Sequence, residues 1–141
     1  MPCVLRVYVP EGGAALAERI SLRVDGSTQK GDQTPWGQHE TDVLQFGVSR
    51  ADFDDLPTQF ERAAAYLAEH EADVTKLAAA GDAVLDFGHE PRAAALGGIQ
   101  HDALPRELVR WAAKLNVQIK LSLYLFETYD DEEAGAEPSA V

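Results

Sequence analysis

The chain has 141 residues, with 24 acidic against 12 basic side chains for a formal charge of −12, and a single cysteine. That length suits one domain able to bury roughly 70% of the surface its unfolded form exposes, with no need of a disulfide or metal staple. The negative field repels phosphate backbones and so argues against a nucleic-acid partner, and no stretch approaches the ~20 apolar residues of a membrane span.

Residues 3–9 alternate, with Cys3, Leu5, Val7 and Val9 on one side and Val4, Arg6 and Tyr8 on the other, which predicts a half-buried strand. Gly12 and Gly13 break it, and the alanine-rich residues 14–19 suit a short helix. Ile20, Leu22 and Val24 alternate with Ser21 and Arg23, predicting a second strand closed by an Asp25-Gly26 turn. Residues 26–41 hold one large apolar side chain, Trp36, and read as a long loop. Leu44, Phe46 and Val48 predict a third strand.

Asp54 and Asp55 before Leu56-Pro57 mark a helix start, because a carboxylate accepts orphan amide bonds and proline suits the first turn. Leu56, Phe60, Ala63, Ala64 and Leu67 then recur at helical spacing. A further helix carries Val74 and Leu77 and stops at Gly81. Ala83, Leu85 and Phe87, alternating with Val84 and Asp86, predict a fourth strand, followed by a loop over residues 88–103. Leu104, Leu108, Trp111, Ala112 and Leu115 line one face of a helix that ends at Asn116. The last strand sets Val117, Ile119, Leu121, Leu123 and Leu125 opposite Gln118, Lys120, Ser122, Tyr124 and Phe126.

Alternation in nearly every strand leaves helices on one face of the sheet only. The expected fold is a two-layer α+β sandwich with a mixed sheet of about five strands, occupying residues 1–126. Arg6, Tyr8, Arg23, Gln45, Asp86, Lys120, Ser122 and Tyr124 fall on the outer face. Residues 127–141 hold six acids and no base, and read as a disordered tail. The lone cysteine and the absence of a signal-peptide core predict a cytoplasmic protein.

Few groups suggest chemistry. Gly26 and Gly31 have the spacing of a phosphate loop, but Asp32 and Gln33 stand where lysine and a hydroxyl residue are needed, so nucleotide binding by this route is rejected. Asp86, His89, Glu90, His101 and Asp102 form the densest set of metal-type ligands, with His89 and His101 the candidate imidazoles. They come as adjacent pairs, which point apart on an extended chain, so no cofactor or metal is expected. Cys3 lies on the inner side of its strand and reads as an inert core thiol. Arg106, Arg110 and Lys114 read as the solvated face of their helix. Trp36 has two readings: an anchor inserted into a partner, or a ring folded back over the sheet.

Val84-Leu85-Asp86-Phe87-Gly88, with Leu104-Pro105-Arg106-Glu107-Leu108 and Ile119-Lys120-Leu121-Ser122-Leu123-Tyr124, resembles the C-terminal half of uncharacterised small bacterial proteins, some associated with toxin–immunity gene clusters. The resemblance spans residues 50–126, rests on core patterning and carries over no catalytic residues. It implies an immunity-like interaction protein. With the acidic field, the expectation is a non-enzymatic domain binding a basic protein through Trp36, Tyr8, Tyr124 and Asp86, with self-association also open. The alternative is a small hydrolytic or metal-dependent enzyme using residues 86–102.

Overall fold

The computed structural model describes residues 1–125. The expected disordered tail lies outside the described residues.

The chain runs β1 (Cys3–Val9), α1 (Gly13–Ala17), β2 (Gly26–Thr28), β3 (Gln33–Thr34), β4 (Gly37–Gln38), β5 (Asp42–Ser49), α2 (Leu56–Glu69), α3 (Glu71–Ala80), β6 (Asp82–His89), α4 (Arg106–Leu115) and β7 (Gln118–Leu123). Five strands make one mixed sheet in the order β2-β5-β1-β6-β7, and β3 pairs with β4 in a separate hairpin. β1 is the central strand, antiparallel to both neighbours, with Arg6 opposite Gln45 on β5 and opposite Val84 on β6. β6 and β7 are parallel, with Asp86 opposite Lys120, so α4 lies in a crossover between them. This is the α+β architecture that the alternation predicts.

One apolar layer holds the fold together. Cys3, Leu5, Val7, Phe46, Leu85 and Phe87 on the inner sheet face join Leu16 of α1, Leu56, Phe60 and Leu67 of α2, Val74 and Leu77 of α3, and Leu108 and Leu115 of α4. Phe60 and Phe87 meet edge to face, with ring centroids 4.9 Å apart, linking α2 to β6. Each fully buried leucine or phenylalanine contributes about 1.5–3 kcal/mol relative to exposure. Two helix ends are made by the residues expected to make them, whereas α1 runs Gly13–Ala17 rather than over 14–19. The Asp55 carboxylate accepts the amide hydrogen of Thr58 at 3.2 Å, with Pro57 in the first turn. Asn116 ends α4 in the left-handed conformation, φ 60°.

Four expectations need correction. Ile20, Leu22 and Val24 form no strand: they pack against the core without pairing, and the ladder begins where a turn was expected, with the Asp25 amide donating to Gln45 O at 2.8 Å. Residues 26–41 are not one loop, since they contain β2 and the β3–β4 hairpin. β6 runs on through Gly88 to His89 before its loop begins. Finally, Leu121 and Leu123 lie on the inner side of β7 but are 44% and 54% exposed, and the neighbouring Leu125 is 54% exposed. Helical cover reaches Val117 and Ile119 and goes no further.

Candidate functional site

Trp36 sits at the tip of the β3–β4 hairpin. Thr34 and Gly37 are the residues that close the turn, with Pro35 and Trp36 between them. Proline presets the backbone at the first loop position, and Gly37 takes a positive φ of 130°, a region that side chains disfavour. The Thr34 hydroxyl donates to Gly37 O at 2.6 Å and accepts the Trp36 amide hydrogen at 3.2 Å, which locks the turn.

The base of the hairpin is tied to the sheet. Gly31 N–H donates to His39 O and His39 N–H to Asp32 O, both at 2.8 Å. The Asp32 carboxylate accepts from Gln29 N–H at 2.8 Å. Asp42, at the start of β5, accepts from Lys30 N–H at 2.7 Å and from Gly13 N–H at 2.8 Å, at the start of α1. These amide hydrogens favour the ionised form and hold the Asp42 carboxyl below the usual carboxylate range. On this braced support the indole is 92% exposed. It does not fold back over the sheet.

The outer sheet face carries a polar chain across four strands. Arg6 on β1 donates through Nε to Gln45 Oε1 on β5 at 2.8 Å and pairs through Nη1 with Asp86 on β6. Ser122 on β7 donates to Asp86 Oδ1 at 2.6 Å. Asp86 is thereby 5% exposed although it faces away from the helices. The reason is its place on an inner strand, where Arg6 from β1 and Ser122 from β7 both reach its carboxylate. Beside the chain, Arg6, Tyr8, Ser27, Thr28, His39, Val43 and Gln45 line a shallow cavity of about 200 Å³.

The four side chains expected to touch a partner therefore do not form one cluster. Tyr8 lines the outer-face cavity, and Asp86 turns its carboxylate to Arg6 and Ser122 rather than to solvent. Tyr124 lies just past β7, 41% exposed, edge-on to Phe53 with ring centroids 5.2 Å apart. Trp36 stands out on the hairpin. Gly88 makes room for the Phe53–Tyr124 pair, because a Cβ there would lie 2.8 Å from the Phe53 ring and 3.1 Å from that of Tyr124.

The loop after β6 is built around an ion pair. Arg92 Nη2 lies 2.5 Å from Asp102 Oδ1, and Gln100 Nε2 donates to Asp102 Oδ2 at 3.1 Å. Both Asp102 oxygens are engaged. His89 ends β6 half-buried, and its Nδ1 has no hydrogen-bond partner among the described residues, while His101 is exposed. Among the described residues no three His, Cys, Asp or Glu side chains converge as a metal site requires. Burial pushes the Cys3 thiol up to about 12, a shift that the Asp86 charge reinforces.

Sequence reasoning missed Gln59, which is fully buried on α2 and donates through Nε2 to Gly88 O at 2.9 Å and Asp52 O at 3.0 Å. Its signal was position: Gln59 falls three residues after Leu56, on the apolar stripe. Comparison with family models, with curated proteins and with solved structures finds no match to this chain.

Proposed function

We propose that this chain is a non-enzymatic protein-interaction domain that binds a partner of net positive charge and anchors it on Trp36. The observation that carries the reading is an indole 92% in solvent on a hairpin fastened at tip and base. Exposing a tryptophan forgoes its burial energy, and a rigid aromatic is the kind of side chain that dominates binding energy when a pocket closes on it. Prior bracing removes much of the ordering entropy of association. The charge of −12 supplies long-range attraction for a basic surface. The resemblance to immunity-associated chains suggests a basic toxin as the partner class, and the single buried cysteine suits a reducing, cytoplasmic setting. Of the three carboxylates an enzyme built on residues 86–102 could use, Asp86 is paired with Arg6 and Asp102 with Arg92, which leaves Glu90 alone to serve.

The test uses the wild-type chain and Trp36→Ala as parallel baits in native lysate, with retained proteins quantified by mass. The expected result is a stoichiometric basic protein held by the wild type, released by high salt and lost from Trp36→Ala. The same retained set on both baits would overturn the reading.

A further inference from the structure

We infer that β7 is a self-association edge, on which a second copy of this chain adds its own β7 antiparallel to make one continuous sheet. β7 ends the sheet and pairs only with β6 among the described residues. The Tyr124 amide donates to His89 O at 2.8 Å, so the even-numbered residues of this strand direct their backbone groups towards β6. By alternation the amides and carbonyls of Ile119, Leu121, Leu123 and Leu125 point the other way, along the open edge. No other described strand pairs with this edge, and a strand edge with exposed leucines is a template for strand addition, which most proteins blunt. Here the only charge on the strand is Lys120.

Two features select a second copy as the occupant. The first is charge. Residues 108–126 contain no aspartate or glutamate, the longest such stretch in the sequence. Two chains of charge −12 that approach along β7 avoid placing acid against acid. The second is self-complementarity, which a two-fold contact demands. With the axis at Ser122, Leu121 stands opposite Leu123 of the other copy and Ile119 opposite Leu125, all on the inner face. On the outer face Lys120 stands opposite Tyr124, so the two lysines, whose direct opposition would be destabilising, are kept apart. In this register the odd-numbered residues form the hydrogen-bonded pairs, as their outward backbone groups require. The side chains left half-exposed, Leu121, Leu123 and Leu125, are those that the second copy covers.

Sedimentation equilibrium of the full chain should give twice the single-chain mass of 15.3 kDa. Leu123→Pro removes an outward amide that β6 does not use, a change edge strands tolerate, and should weaken the dimer by about tenfold or more. Trp36→Ala should leave it intact, which separates this contact from the anchor proposed above. Ser122→Cys guards against misfolding of the proline variant. It sets two thiols across the axis and should give a disulfide-linked dimer under mild oxidation, with the buried Cys3 taking no part. A single-chain mass overturns the inference. Amide exchange then names the occupant: protected Leu121 and Leu123 amides assign the edge to the chain's own residues 126–141, and unprotected ones leave it to a different partner. A dimer that survives Leu123→Pro, or a dimer without the Ser122→Cys cross-link, overturns it as well.

Discussion

Ser122 on β7 donates its hydroxyl to Asp86 on β6 at 2.6 Å, and Arg6 on β1 pairs with the other carboxylate oxygen. Three strands thus share one buried charge. Arg6→Met takes the cation from a carboxylate that is only 5% exposed in the wild type. The expected loss in a urea melt is about 3 kcal/mol, at the low end for a buried pair because the arginine side chain is itself 27% exposed. Adding Asp86→Leu to Arg6→Met should recover most of it. Equal stability of Arg6→Met and wild type would show that solvent reaches Asp86.

Trp36→Ala should change folding stability by no more than about 0.5 kcal/mol, since the side chain has almost no packing to lose. In a Trp111→Phe background, the remaining Trp36 emission should be red-shifted in the free protein. Trp111 has to be removed because it is part-buried against the core with Lys114 Nζ 4.8 Å from its ring centroid. A blue-shifted Trp36 band, or a stability loss of several kcal/mol, would place the indole in a packed site.

Cys3 should resist thiol reagents in the native state. With its pKa at about 12, roughly one thiol in ten thousand is ionised at pH 8, and the sulfur is enclosed. Labelling should therefore follow global unfolding and accelerate with urea. The same shift sets the alkaline limb. Above the ordinary thiol value of 9 the unfolded chain loses a proton that the folded chain keeps, so stability falls as pH rises from 9 towards 12. Tyr66, also pushed upward by burial, acts with the same sign. Cys3→Ala should flatten this limb, and an unchanged slope would assign it elsewhere.

Asp42 governs the opposite limb. Its folded carboxyl is held below the ordinary carboxylate value of 3.8 by the Gly13 and Lys30 amides. The stability it confers is complete above that value and is lost as pH falls through the lower, folded one. Asp42→Asn should lower Tm at pH 7 and make the acid limb shallower. Parallel acid curves for variant and wild type would remove Asp42 from that role.

Much of the fold was legible because side-chain alternation and helical spacing are local properties. Leu5 and Val7, Leu85 and Phe87, and the stripe from Leu56 to Leu67 announce their elements without reference to partners. Asp55 and Asn116 mark helix ends by what their own backbones and side chains do. What failed depends on strand order. Alternation puts Leu121 on the inner side but says nothing about whether a helix reaches that far. It gave Ile20, Leu22 and Val24 a strand's pattern, although their side chains pack part-buried against the core with no ladder formed. The Arg6–Asp86 pair joins residues 80 apart in sequence, and only the β1–β6 register brings them together. The turn that presents Trp36 rests on one threonine hydroxyl and one glycine φ, too few residues to leave a periodic trace.

The central strand is also the first described element in chain order. β1 finds no strand partner until β5, and its second ladder, where Cys3 faces Phe87, waits for β6. One edge of an apolar strand therefore stays unpaired while more than half of the described chain is made. Closing such distant pairs costs chain entropy before the core gains from it, a cost that slows folding wherever distant pairings dominate. A circular permutant opened between Ser49 and Leu56, with β5 last and β1 following β7, would reverse that schedule while keeping every ladder of the sheet.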